Sequence, residues 1–174
     1  GKNRVQFEDR FWSFMRFKNY DTYYYLGGLE LATFTGRTAQ KDLEEIEKLF
    51  VANQAVAKTL KYLEENVKAG MSLKEVDAMG ENFILSLGAR PAFKGLYGFP
   101  NAVCTSLNEV IIHGIPSDTV LKDGDILGLD IGTEVDGWYG DSAITMPIGD
   151  ISKKDEELIA CAKDALYYAI DIIE

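Results

Sequence analysis

The chain has 174 residues, enough to bury one core and too few for two full enzymatic lobes. Hydrophobic residues make up 47% of it and charged residues 26%, and no apolar run reaches the ~20 residues of a bilayer span, which argues against a membrane partner. The formal net charge of −10 argues against nucleic acid, because phosphate backbones are bound by basic protein faces.

The composition changes near residue 40. Residues 1–40 hold six Lys and Arg against four Asp and Glu, whereas residues 41–174 hold twelve against twenty-four. Ten of the twenty aromatic residues also lie in the first forty positions. We therefore expect two units of different origin, an aromatic-rich segment of residues 1–40 and a domain of residues 41–174, as in an engineered or recombined chimera.

The aromatic segment predicts a helix followed by a β-hairpin. Phe7, Phe11, Phe14 and Phe17 recur at helical spacing. Residues 20–34 then follow a pattern of strand, Gly-Gly turn and strand. So many aromatic side chains favour burial in a core over a ligand-binding surface.

Two helices are predicted after the composition break. Apolar residues form one stripe over residues 42–67, opposite charged ones, which is typical of an amphipathic helix. Ser72 and Glu75 have the spacing of a capping box, so a second helix is expected to begin there and to end at about Leu87.

Shorter elements follow these helices. Glycines and prolines mark residues 90–100 as a loop. Short strands are predicted at about 102–106 and 110–113, and a final amphipathic helix begins at Ser152.

A β-hairpin carries the first chemical signal. Residues 125–133 and 138–147 have strand character and are joined through Asp136-Gly137, a strong turn signal. A two-residue turn there makes the numbers of cross-strand partners add to an odd value. Asp130 and Asp141 must then share one face of the hairpin, directly opposite or on a diagonal.

The two faces of this hairpin differ in character. The core face holds Leu127, Leu129, Ile131, Ile144 and Met146. On the aspartate face, Gly128, Gly132 and Ala143 are expected to leave open space. Two ionised carboxylates on such a face call for a cation, either a pair of metal ions or Lys and Arg side chains. The simpler alternative, aspartates that cap turns or face solvent, does not explain why Asp130 interrupts an apolar strand.

Seven motifs carry a family resemblance. In chain order they are Phe93-Lys94-Gly95, Gly98-Phe99-Pro100, Cys104–Val110, His113-Gly114-Ile115-Pro116, Leu121–Asp125, Leu129–Gly132, and Asp136-Gly137 with Gly140-Asp141. Together with the helix that starts near Leu43, they resemble bacterial type I methionine aminopeptidases over residues 43–174.

The resemblance implies an α+β fold that is half of a pita-bread fold, a curved antiparallel sheet with helices on one face. It also implies a dinuclear centre of divalent metal (Co, Mn, Fe or Zn) and hydrolytic removal of methionine from peptide N-termini. Asp130 and Asp141 match the family's metal-binding aspartates. His113 matches a substrate-contacting histidine that assists proton transfer.

Three further residues match the family's pocket for the methionine side chain, namely Leu96, Phe99 and Cys104. Bacterial relatives commonly carry a tyrosine at the position of Leu96, so this pocket is expected to lose a ring and a hydroxyl and substrate preference to change. On the residues alone, His113 would be a packed or surface histidine and Cys104 a small buried apolar residue.

The resemblance also implies what this chain lacks. The family's other metal ligands, one histidine and two glutamates, lie in its second half, and no histidine follows Asp141. We therefore expect a truncated or chimeric methionine aminopeptidase-derived domain with weak or absent metal binding and no catalysis alone. The alternatives are an active aminopeptidase completed by a second half or partner, and a non-catalytic structural or interaction module.

Two expectations concern assembly and compartment. A half-domain exposes an apolar seam, which either residues 7–35 or a second copy of the chain would cover, the latter as a homodimer. Cys104 and Cys161 have no CxxC or CxxH partner, which indicates free thiols and a cytoplasmic location.

Overall fold

A computed structural model of the chain describes residues 41–173. In chain order the elements are α1 (Leu43–Asn66), α2 (Leu73–Ser86), β1 (Arg90–Pro91), a short 3-10 turn (Leu96–Gly98), β2 (Val103–Leu107), β3 (Ile126–Val135), β4 (Trp138–Pro147) and α3 (Lys153–Asp171). The helix and hairpin predicted within residues 1–40 lie outside the described residues.

Both leading helices begin at side-chain caps, of which the sequence predicted the one at Ser72. Asp42 caps α1, where its carboxylate accepts the Glu45 N–H at 2.8 Å and the Glu45 carboxylate accepts the Asp42 N–H at 3.0 Å. Ser72 and Glu75 form the same reciprocal arrangement at the start of α2. These bonds satisfy N–H groups that have no partner within the helix, which is why each helix starts where it does.

The sheet is antiparallel and β3 is its central strand. β4 pairs along one edge of β3, from Ile126 opposite Pro147 to Val135 opposite Trp138. β1 and β2 pair along the other edge. The hairpin turn is Asp136-Gly137, both with positive φ, as the sequence predicts.

The core lies between one face of this sheet and the first two helices. Leu127, Leu129 and Ile131 point from β3 into it and are 0% exposed. The helices contribute residues such as Leu63 and Ile84, also fully buried. The predicted core face and the α+β class are confirmed.

A glycine allows α1 to pack closely against the sheet. A Cβ placed on Gly140 of β4 would lie 2.7 Å from the carbonyl carbon and oxygen of Ala52 in α1. The Thr133 hydroxyl, on the strand opposite, donates a hydrogen bond to the same Ala52 oxygen at 2.7 Å. Only a residue without a side chain lets the helix backbone approach the strand this closely.

The third helix is different, because none of its residues is buried. Its apolar side chains include Leu158, 59% exposed, and Tyr168, 70% exposed. The amphipathic helix predicted from Ser152 is present, and Ser152 caps it by accepting the Asp155 N–H. None of the helices in residues 41–173 is long and apolar enough to cross a bilayer.

One predicted strand is wrong. Residues 110–113 form an irregular loop, although their apolar residues suggested a strand. A turn closed by the Val110 N–H donating to the Leu107 carbonyl breaks the extended backbone, and Ile111 is 91% exposed. The apolar residues therefore face outward and do not extend the sheet.

Candidate metal centre

The two aspartates meet on one face of the hairpin. Asp141 pairs with Gly132 and Asp130 pairs with Ala143, so the two side chains share a face on a diagonal. Their carboxyl groups lie within hydrogen-bond reach of each other. The parity argument from the sequence therefore predicts the arrangement that the fold produces.

Both carboxyl groups lie where ionisation is unfavourable. Burial, and then the charge of Asp141, raise the pKa of Asp130 to about 6. The pKa of Asp141 is also raised, with burial as its main cause. A cation held between the two groups would remove this penalty, since opposite charge favours the ionised form.

Positive side chains of this chain do not fill that role in the described region. Lys94 binds the Glu81 carboxylate at 2.7 Å, and Arg90 binds the Glu134 carboxylate. Among the described residues, the basic side chain that acts on both Asp130 and Asp141 is His113, which lowers the pKa of each. The sequence alternative of a Lys or Arg partner therefore has no support among these residues.

Cys104 lies directly opposite Asp130 on the neighbouring strand β2 and shares its face. Its thiol is free and the residue is 4% exposed. Burial, followed by the charges of Asp130 and Asp141, raises its pKa to about 11. It therefore presents a small neutral side chain beside the carboxylates, and the expectation of burial is confirmed.

His113 reaches the site from a loop. The residue is exposed, and its φ of 55° is unusual for a residue with a side chain. Gly114, which follows it, accepts a hydrogen bond from the Thr105 N–H of β2 at 2.8 Å. The loop thus returns to the sheet beside the strand that carries Cys104.

The aspartate face is less open at Gly132 than the sequence predicted. A Cβ on Gly132 would lie 2.7 and 3.0 Å from Cδ1 and Cζ of the Phe93 ring. The prediction that Gly132 leaves open space is therefore wrong, because an aromatic ring occupies that position beside Asp141. Phe93 lies in the first family motif, but only its contact with a distant strand reveals its place beside the aspartates' face.

Leu96 and Phe99 belong to the turn that follows Phe93. The Gly95 N–H donates to the Phe99 carbonyl at 2.7 Å and the Leu96 N–H donates to the Phe93 carbonyl at 3.0 Å. Leu96 is 50% exposed and Phe99 is half-buried. The structure ties these two to Phe93 through the backbone, and the Phe93 ring lies against Gly132, the cross-strand partner of Asp141.

The described residues do not hold a complete metal site. Among residues 41–173, no group of three or more His, Cys, Asp or Glu side chains is arranged to hold a metal ion. What the fold brings together is a pair of carboxylates, with His113 and Cys104 beside them.

Comparison with known families supports the resemblance. The family model for metallopeptidase family M24 matches residues 47–174. The methionine aminopeptidase of Helicobacter pylori strain ATCC 700392 / 26695 is 60% identical over 133 residues, which are 76% of this chain and 53% of that protein.

Solved structures give the same picture. The methionine aminopeptidase of Thermotoga maritima superposes with a TM-score of 0.74 at 35% identity, over 77% of this chain and 54% of that one. That of Rickettsia prowazekii gives 0.71 at 36% identity, over 73% and 51%. These are pita-bread enzymes, so the half pita-bread fold is confirmed, and the chain spans about half the length of the curated relatives it matches.

Proposed function

The chain belongs to metallopeptidase family M24, and we propose that Asp130 and Asp141 are two ligands of a dinuclear metal centre that serves removal of N-terminal methionine. The observation that supports this is the diagonal pairing of two carboxyl groups within reach of each other on one face of β3 and β4. The similar methionine aminopeptidases supply the substrate class, a peptide with an N-terminal methionine.

The donor set fits such a group. Carboxylate oxygens suit hard or borderline divalent cations, and two adjacent carboxylates suit a pair of ions about 3.5–4 Å apart. The metals of the resembled family, Co, Mn, Fe and Zn, all accept such ligands. When bound, they supply an activated water and a Lewis acid for the scissile carbonyl.

The other side chains at the site have roles that follow from their chemistry. His113 lies near both carboxyl groups, where its imidazole nitrogens would assist a proton transfer. Cys104 and the Phe93 ring present sulfur and aromatic surface on the same face. With Leu96 and Phe99, they supply apolar surface of the kind that a methionine side chain requires.

Metal binding is tested by calorimetry on the full chain. Titration with Mn²⁺ or Co²⁺ should give weak binding that is lost in both Asp130→Ala and Asp141→Ala. The matched control is Asp164→Ala, which removes an exposed carboxylate from α3 and should leave the binding unchanged. Equal binding by the original chain and both aspartate variants would contradict the proposal.

We further propose that this chain is inactive alone. Two carboxylates leave most coordination positions to water, which weakens affinity and removes the ligand geometry that tunes the nucleophile. A methionine-peptide assay with Co²⁺, Mn²⁺ or Fe²⁺ should therefore give no turnover above that of an Asp130→Ala, Asp141→Ala double variant. Turnover above this control would favour the complete-enzyme alternative, in which a second half or partner supplies the other ligands.

A non-catalytic structural or interaction module is the second candidate function. The observation that favours it is the set of apolar side chains that α3 leaves exposed. It predicts cooperative unfolding in urea together with no aspartate-dependent metal binding. The same calorimetry therefore separates the two candidates.

We also propose that residues 1–40 form a separate unit of different origin from residues 41–174. The M24 match begins at residue 47, and the change in charge and aromatic content lies near residue 40. Either this unit or a second copy of the chain would cover the exposed apolar side chains of α3. Light scattering at micromolar concentration separates these arrangements, because a strict monomer rules out the homodimer.

We propose the cytoplasm as the compartment. Cys104 and Cys161 are both free thiols, which is typical of proteins in a reducing environment. Detection of the native chain in a cytosolic fraction would support this location, and detection only in secreted material would contradict it.

A further inference from the structure

The loop of residues 107–114 is attached to the sheet at both of its ends. At its start, the Asn108 N–H donates to the Ile126 carbonyl and the Ile126 N–H donates to the Asn108 side-chain oxygen, each at 3.0 Å. The Asn108 amide nitrogen donates to the Asp125 carboxylate at 2.9 Å. One side chain therefore ties the loop to two consecutive residues where β3 begins.

At its end, the loop is held against β2. The Gly114 N–H donates to the Ser106 hydroxyl at 3.2 Å, and the Thr105 N–H donates to the Gly114 carbonyl at 2.8 Å. A Cβ on Gly114 would overlap the Thr105 carbonyl oxygen, so the contact is too close for any other residue. Between these anchors the side chains of Ile111 and Ile112 are exposed, 91% and 65%.

Asn108 also suits the backbone at its position. Its φ of 51° lies in the left-handed region, which asparagine tolerates better than most residues with a side chain. It occupies the turn closed by the Val110 N–H and the Leu107 carbonyl, at 3.0 Å. The residue thus starts the turn and bonds it to the sheet at the same time.

We propose that Asn108 is a positioning residue that aims His113 at the paired carboxyl groups of Asp130 and Asp141. This inference rests on the proposed function, because that function gives His113 its role. The hydrogen bonds that attach the loop are observed independently of it. His113 is exposed and lies in the loop between the two anchors, so the direction of its imidazole depends on how the loop is attached. Asn108 provides that attachment at the start of the loop, and Gly114 provides it at the end.

The sequence offers a clean probe, because His113 is the single histidine of the chain. Its imidazole gives one set of NMR signals, which can be followed at fixed pH without metal. In the original chain, Asp130→Asn should shift these signals, because it replaces a carboxyl group that lies near His113. In an Asn108→Gly background the same substitution should shift them several-fold less, since the loop keeps its left-handed turn but loses both side-chain bonds.

Two further variants make the result specific. Asn108→Asp keeps the oxygen that accepts the Ile126 N–H but sets a second carboxylate against Asp125, so it should reduce the shift to an intermediate degree and serves if the glycine variant fails to fold. Ile111→Ser changes an exposed residue of the same loop and should leave the shift at its original size.

Two outcomes of the NMR experiment would contradict the inference. A full-sized response of His113 to Asp130→Asn in both Asn108 variants would overturn the inference, as would no response in the original chain. Because the experiment uses no metal, its failure is distinct from failure of the proposed function. The latter would appear as calorimetry that does not depend on Asp130 and Asp141.

Discussion

The two faces of the hairpin formed by β3 and β4 use the same backbone for opposite purposes. Leu127, Leu129 and Ile131 alternate with Gly128 and Asp130 along β3, and the first three are fully buried under α1 and α2. On the other face the carboxyl group of Asp130 is placed where ionisation is unfavourable. Stability is thus concentrated on one face, which allows the other to hold groups that cost stability.

The largest change in stability is expected from Leu129→Ala, on the core face of the hairpin. The side chain is 0% exposed, and its loss leaves a cavity between the sheet and α1 that should cost about 2–5 kcal/mol of unfolding free energy. Urea denaturation followed by circular dichroism measures it. The matched control is Leu158→Ala on α3, 59% exposed, which should change the free energy by less than about 0.5 kcal/mol. Equal losses of unfolding free energy in the two variants would contradict the conclusion that stability is concentrated on the core face.

A glycine on each face gives the next test. Gly140→Ala pushes a methyl group into the Ala52 backbone of α1, which cannot rotate away, and should cost about 1–3 kcal/mol. Gly128→Ala, on the aspartate face, meets the Ser106 Cβ at 3.3 Å and the Ser106 carbonyl oxygen at 3.4 Å, both longer than the contacts at Gly140, and should cost clearly less. Thermal unfolding of both variants is the measurement. A larger loss for Gly128→Ala would contradict the assignment of the close-packed face.

The smallest effect is expected from Asp130→Asn in a metal-chelating buffer. Because the folded state raises the pKa of Asp130 to about 6, its contribution to stability is present at low pH and lost as pH rises through that value. The asparagine variant should therefore match the original chain near pH 4 and exceed it slightly in melting temperature above pH 6. Asp164→Asn on α3 should show no such crossover, and a fall in stability of Asp130→Asn above pH 6 would refute the argument.

Much of the fold was predictable because it depends on neighbours in the chain. The capping boxes of Asp42 and Ser72 each need only a residue three positions on. The shared face of Asp130 and Asp141 needs only a two-residue turn and the alternation of a strand. The failure at residues 110–113 has the same origin, since apolar residues suggested a strand but no partner strand is there.

By itself, then, the sequence determined the helices and the β3–β4 hairpin of residues 41–173, the shared face of the two aspartates and the resemblance to one family. Only the tertiary structure decided that the Phe93 ring covers Gly132, that α1 lies directly on Gly140, and that α3 keeps its apolar side chains exposed. It alone revealed that Asn108 ties the His113 loop to the start of β3. The physical reason is that caps, turns and strand alternation act within a few residues, whereas these contacts join segments far apart in the chain, whose approach is settled by packing as a whole.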